Sequence, residues 1–314
     1  MIWRYAGRRI LATIPVMGFV ALFVFSLLYF APGDPAAIIA GDQASAEDIV
    51  RIRASLGLDR PFIVRFGEWL WQVLHGDLGT SIFANLPVAH MIGQRVEPTL
   101  SLMVLTLLFA VAVAVPLGVL AAARAGSWID RVIMLFAVLG FSVPVFVVGY
   151  LLAWVFALQL DWLPVQGYVP LARGVLPWLR NLVMPVIALG AIYIALIARI
   201  TRAAMLEVLG QDYIRTARAK GLGSLPVLFL HALKNASVPI VTVVGIGVAL
   251  LIGGAVVTET VFAIPGIGRL VVDAILRRDY PVIQGVTLLF SVVYVLVNLA
   301  VDLLYSVLDP RIRQ

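Results

Sequence analysis

Apolar residues gather into runs long enough to cross a bilayer. About 20 residues at 1.5 Å each cover ~30 Å of hydrocarbon. Such runs lie at roughly 10–30, 99–122, 132–158, 182–198, 236–257 and 282–306, which predicts six spans. Pro116, Pro144 and Pro185 interrupt three of these runs. Neighbouring helices can re-satisfy the freed carbonyls, so the prolines do not defeat the assignment. The first run follows Arg4, Arg8 and Arg9 as a secretory signal would, but at about 20 residues it exceeds the 7–15-residue core of such a signal. An uncleaved anchor over residues 1–30 is expected.

Two segments between the runs carry pattern of their own. In 31–98, Ser45 followed by Asp48 has the form of a capping box opening a helix from Ala46 to Leu56, which Gly57 could close. After Asp59-Arg60-Pro61, the residues Phe62, Ile63, Phe66, Trp69, Leu70, Val73 and Leu74 recur at helical spacing. This is either a cap that meets an external partner or a helix lying at the membrane interface. In 199–235, a short helix over Asp212–Lys220 is bounded by Gly210, Gly221 and Gly223. Ala217 and Ala219 permit close approach, and Arg215, Arg218 and Lys220 supply charge. That is the build of a plug for a groove on another protein. The bland alternative is a positively charged loop with an incidental amphipathic turn.

Composition settles the class. Hydrophobic residues make up 62% of the 314 and charged residues 13%, with a mean hydropathy of +1.04. An ordinary soluble domain carries roughly 25% charged residues, so lipid must be the solvent for most of this surface. Cysteine is absent, which excludes disulfides, thiolate metal sites and a cysteine nucleophile. The net charge of +6 is not gathered in one patch, as nucleic-acid binding would need; it recurs beside the spans.

That distribution orients the chain. With the N-terminus inside, the cytoplasmic flanks hold Arg4, Arg8, Arg9, Arg124, Arg131, Arg199, Arg202, Arg215, Arg218, Lys220, Lys234, Arg311 and Arg313. The short outer loops hold only Arg173, Arg180, Arg269, Arg277 and Arg278. The long loop 31–98 is excluded because loops beyond about 60 residues translocate largely regardless of charge. Both termini are expected inside, with residues 99–314 forming a five-helix core.

Enzyme chemistry finds no footing. Lys220 and Lys234, the only lysines, follow Ala219 and Leu233, so no phosphate-cradling GxxxxGK[ST] exists. No HExxH or GxGD occurs, and Ser142 in Gly140-Phe141-Ser142 has no histidine at membrane depth to activate it. Ion-coupled carriers place costly charges at midplane. Here Glu97, Glu259 and Asp302 lie near span ends, where they can reach water or cap a helix. An ion-coupled secondary carrier is therefore the weaker alternative, and a membrane scaffold gives no reason for the glycine-stopped helix. A translocation path would be lined by small, weakly polar residues such as Ser142, Thr242, Gly245 and Thr258; residues of this kind also serve close helix packing.

Several blocks together resemble one known family. They are PGDP at Pro32–Pro35, LGLDRP at Leu56–Pro61, HGDLGTS at His75–Ser81 and MLEVLGQDYIRTARAKGL at Met205–Leu222, followed by HALKNASVPIVT at His231–Thr242, PGIGRL at Pro265–Leu270, RRDYPVIQG at Arg277–Gly285 and VNLAVDLLYSVLDPRIR at Val297–Arg313. In order and spacing the chain resembles, along essentially its whole length, the first permease subunit of dipeptide/oligopeptide/nickel ABC importers. The resemblance implies an all-α type I importer fold in a bacterial or archaeal inner membrane. It implies a homologous second permease, two cytoplasmic P-loop ATPases holding ATP and Mg, and an extracytoplasmic substrate-binding protein. This chain itself would bind no cofactor or metal. The resemblance makes Asp212, Tyr213, Arg215, Thr216, Ala217, Arg218, Lys220, Gly221 and Leu222 a coupling helix and its stop. The wider superfamily begins this motif Glu-Ala-Ala, with glycine four residues on. Here Arg215-Thr216-Ala217 and Gly221 stand there, so a glutamate-specific contact does not carry over. Lys234 also sits where the wider pattern places a proline. Peptides, glutathione or nickel chelates are the implied substrates.

Overall fold

Pro144 divides the third apolar run, whereas Pro116 and Pro185 are absorbed into continuous helices. The computed structural model describes the backbone of residues 2–30, 36–37, 45–55 and 58–308. The block Pro32–Pro35, the expected Leu56–Gly57 helix end and residues 309–314 lie outside the described residues, as does the side chain of Asp302.

The helices are α1 (Ile2–Phe30), α2 (Ala46–Ser55), α3 (Phe62–Leu74), α4 (Val88–Ala123), α5 (Trp128–Ser142) and α6 (Val145–Leu152). They continue with α7 (Val175–Leu209), α8 (Asp212–Ala219), α9 (Ser237–Val261), α10 (Ile267–Arg277) and α11 (Tyr280–Leu308). A π-helical turn, Ala153–Gln159, extends α6, and another, Val227–Ala232, lies within the helical stretch 224–235. Among the described residues, four helices are long and apolar enough to cross a membrane: α4, α7, α9 and α11. The segments Trp128–Ser142 and Val145–Gln159 make a fifth candidate bent by 102°, and α1 contributes the shorter apolar stretch Leu11–Leu27. The expected third span, 132–158, which Pro144 interrupts, thus takes the form of a broken pair of helices. The physical reason sits at Val143, which is extended (φ −87°, ψ 125°). The ring of a following proline disfavours the α region for its neighbour, and here the chain takes that exit.

The chain groups into two units, one of residues 1–6, 96–269 and 296–314, the other of 7–95 and 270–295. In the first, α7 is the central helix. Of its apolar window 61% is buried within the chain, against 28–39% for the other three long spans. Leu182, Leu189, Tyr193 and Ile197 of α7 pack with Leu102 of α4, Leu251 of α9 and Ile264. Small residues set the spacing, as lipid-solvated helices require. A Cβ at Gly118 would fall 2.7 Å from the Ala198 carbonyl oxygen, so α4 and α7 touch backbone to backbone there. In the second unit, Phe25 of α1 receives Phe62, Phe66 and Trp69 of α3 at ring-centroid distances of 5.3, 5.5 and 5.2 Å. Ile63, Trp71 and Leu74 of α3 stay exposed.

Candidate functional site

The helix expected over Asp212–Lys220 is present as α8, with Gln211 before it and Lys220 as its C-cap. Asp212 in the first turn and Arg218 in the last complement the helix dipole. Gly221 sits at φ +82°. The Leu222 N–H donates to the Ala217 carbonyl at 3.2 Å and the Gly221 N–H to that of Arg218 at 2.9 Å. These two bonds form a Schellman motif, which explains why glycine ends the helix.

Ile214 roots α8 to the rest of the unit. It is fully buried among Val119 of α4, Ala204 and Met205 of α7, and Val227, Ala232 and Ile240. The other face is open. Asp212 and Arg215 are 96% and 76% exposed, forming only a loose 3.4 Å pair, and Tyr213, Thr216, Arg218 and Lys220 are exposed as well. One buried side chain with an exposed polar surround is a pedestal that presents a short helix outward.

Behind this pedestal lies a charged node with no counterpart among the expected site residues. Asp130 of α5, 4% exposed, accepts from Arg202 of α7 through both oxygens, Nε to Oδ1 at 2.6 Å and Nη2 to Oδ2 at 2.7 Å. It also accepts from the Gly126 N–H at 2.9 Å. The signal available in sequence was Ser127 three residues before Asp130, a helix-opening pair; Ser127 is the N-cap and accepts from the Asp130 N–H.

A second node explains the PGIGRL block. Glu259, near the end of α9, is fully buried. Its Oε1 accepts from the Thr99 hydroxyl at 2.6 Å and its Oε2 from the Arg269 N–H at 2.9 Å, while the Ile267 N–H donates to Thr99 Oγ1 at 2.8 Å. The carboxylate and the hydroxyl thus satisfy orphan N–H groups at the start of α10. A Cβ on Gly266 would collide with the Glu259 carboxylate, and one on Gly268 would lie 2.9 Å from it. Of the two options expected for Glu259, it takes helix capping. Glu97 accepts from the Tyr168 hydroxyl at 3.0 Å and the Leu171 N–H at 2.8 Å, tying the loop before α7 to α4. Burial pushes the Tyr168 phenol above its usual range.

HGDLGTS and RRDYPVIQG prove to be partners. Ser81 donates to Asp279 Oδ2 at 2.5 Å and the Ile82 N–H to Oδ1 at 3.2 Å, with Ser81 and Asp279 both buried. Gly79 would meet Pro281, and Gly285 would meet Val88 and Leu78, if either carried a Cβ. Removing the hydroxyl leaves a buried carboxylate short of a donor, at about 1–3 kcal/mol. Ser81→Ala is therefore expected to lower the unfolding temperature of purified protein by about 2–12 °C, with Ser81→Thr closer to wild type.

Of the four path residues, Ser142 ends α5, while Thr242, Gly245 and Thr258 lie on α9, the first two one turn apart. The Ser142 hydroxyl, exposed, turns back to the Val138 carbonyl, and Thr242 does the same to Val238. Thr258 is buried and bonded to the Gly254 carbonyl, and a side chain at Gly245 would strike Val301 of α11. Within this chain, Gly245 and Thr258 serve helix packing. Among the described residues, no group of three or more His, Asp or Glu is placed to hold a metal ion.

Comparison with known proteins covers the chain from end to end. Residues 114–314 match the family described as "Binding-protein-dependent transport system inner membrane component", and residues 2–103 match its N-terminal companion, "Binding-prot-dependent transport system membrane comp, N-term". A probable peptide ABC transporter permease of Sinorhizobium fredii is 55% identical over 98% of this chain and 99% of its own length. The glutathione transport permease GsiC of Salmonella typhi is 43% identical, covering 98% of each. The dipeptide transport permease DppB of Alkalihalophilus pseudofirmus is 42% identical, covering 98% and 99%. The inward-facing MetNI methionine ABC transporter shares the fold, with a TM-score of 0.58 at 19% identity over 70% of this chain and 96% of that one. With long apolar helices that expose much of their surface and a rooted helix offered outward between α7 and α9, the chain belongs to the family of binding-protein-dependent transport system inner membrane components, as a multi-pass permease of an ABC importer.

Proposed function

We propose that this permease imports di- or oligopeptides, or peptide-like solutes such as glutathione or a nickel chelate, by ATP-driven alternating access. It has six spans and both termini in the cytoplasm. It pairs in the lipid bilayer with a homologous second permease, and an extracytoplasmic binding protein delivers the ligand. Two P-loop ATPases hold ATP and Mg and perform the hydrolysis; this chain does no bond chemistry. The observation that carries the reading is α8, which offers Asp212, Tyr213, Arg215, Thr216, Arg218 and Lys220 outward while Ile214 holds it from behind.

In this mechanism nucleotide binding draws the ATPases together, and α8 follows because it occupies their groove. The energy source is the differential affinity of nucleotide for the closed dimer on the partner chains. Ser142, Thr242, Gly245 and Thr258 are assigned to the path that opens between the permeases. For Gly245 and Thr258 this requires α9 to move against its present neighbours.

The test is purification of the tagged chain from gently solubilised membranes, followed by reconstitution with what accompanies it. The expected result is recovery of a second permease and P-loop ATPases, with uptake of labelled dipeptide that requires both ATP and the binding protein. Recovery of the chain alone, with uptake driven by an ion gradient in the absence of ATP, would overturn the reading.

A further inference from the structure

We propose that Asp130 and Arg202 act as a positioning clasp, carrying movement of α8 into the bent pair α5–α6. The inference rests on the coupling reading of α8. It starts from how α8 is attached. The C-terminal turns of α7 lead directly into α8 across Gly210 and Gln211, and Ile214 is buried against Met205 of α7 itself. The end of α7 and α8 therefore move as one body. Arg202 belongs to that body.

Asp130 sits in the first turn of α5. A two-point contact between a guanidinium and a carboxylate fixes orientation as well as distance. Asp130 also holds the turn that leaves α4, through the Gly126 N–H. A pull on α8 thus reaches the start of α5 through a stiff, directional contact as well as through the packing of α5 on α7.

The far end of α5 gives that contact a purpose. α5 runs against α7, where a Cβ on Gly140 would lie 3.1 Å from the Ala191 carbonyl oxygen. After the break at Val143 and Pro144, α6 still packs against α7 and gains a second neighbour: a Cβ on Gly149 would lie 3.2 Å from both Val261 and Phe262, at the end of α9. The second half of the broken pair is fastened to α9 as well as to α7, and the 102° bend falls before that added fastening. With the clasp closed, α5 follows α7 and α8, and the bend absorbs the difference.

The experiment uses the complete complex, with both permeases, the ATPases and the binding protein, in lipid vesicles. Asp130→Asn removes the charge, and Arg202→Lys keeps the charge but loses the fork. Both variants are expected to assemble in normal amount and retain basal ATPase activity, while uptake per ATP hydrolysed falls by a factor of about 5–150. Uptake and hydrolysis falling in equal proportion, or an unchanged ratio, would overturn the clasp as a transmitting contact. A second measurement does not depend on those variants folding. The chain has no cysteine, so spin labels can be placed at Trp128→Cys and Gln211→Cys, both exposed positions. The distance between them is expected to stay constant within about 2 Å between nucleotide-free and ATP-trapped complexes. A larger change would show that α5 and α8 move independently. A wild-type complex without ATP-dependent uptake would overturn the transport reading, and the role of the clasp with it.

Discussion

Glu259→Leu is expected to cost about 3–5 kcal/mol of folded-state stability, the largest single loss foreseen for this chain. Leucine fills the volume but accepts nothing. The Thr99 hydroxyl and the Arg269 N–H, both bonded to the carboxylate, would be left in a site closed to water. For a chain of this size that corresponds to a fall of about 6–20 °C in unfolding temperature, measured on detergent-purified protein. Glu259→Gln should lose less. Its carbonyl can still accept from Arg269, but its amide faces a Thr99 oxygen that already accepts from the Ile267 N–H. Gly266→Ala should fall between the two, because its new methyl group would enter the space of the carboxylate. The double variant Glu259→Ala/Gly266→Ala should then lose less than the sum of its parts. Strict additivity, or an unchanged unfolding temperature in Glu259→Leu, would show that the node does not hold the start of α10.

The same node shows where a single sequence stops being legible. Glu259 and Thr99 belong to different apolar runs, and nothing local to either marks the other as a partner. An acidic residue near a span end reads equally well as a group reaching water. Asp130 and Arg202 were hidden for a related reason: arginines at span edges are used up by the topology rule, which gives each of them an explanation before a partner is sought. Helix rotation decides which side chains meet, and it is fixed by packing between runs that are distant in sequence. Local features were legible because their causes are local. The apolar runs become α4, α7, α9 and α11, the helical spacing of Phe62, Phe66 and Trp69 becomes α3, and the glycine after Lys220 becomes a Schellman stop. Pro144 lies between these cases. Its chemistry is local, but whether a proline is absorbed or breaks the helix depends on neighbours: Pro116 and Pro185 stay within continuous helices, and Pro144 does not.

Gly221→Trp is expected to reduce ATP-dependent uptake by at least about tenfold while leaving membrane insertion intact, a loss within the usual range of coupling free energies. Two separate causes could produce it, and the structure separates them. At φ +82° any side chain is strained, at about 1–2 kcal/mol for a residue other than glycine or asparagine. Yet among the described residues nothing lies within 4 Å of where a Cβ would stand, so a methyl group there meets no neighbour. Gly221→Ala therefore measures the strain alone, and Gly221→Asn, which tolerates the left-handed conformation, should be milder still. The further loss from alanine to tryptophan then reports a surface that this chain does not supply: the ATPase groove over α8. If tryptophan and alanine transport equally well, no partner approaches Gly221, and the assignment of Asp212–Leu222 as the coupling segment fails. If tryptophan alone uncouples, with ATPases still recovered in the complex, the closest approach between permease and motor is located at this glycine.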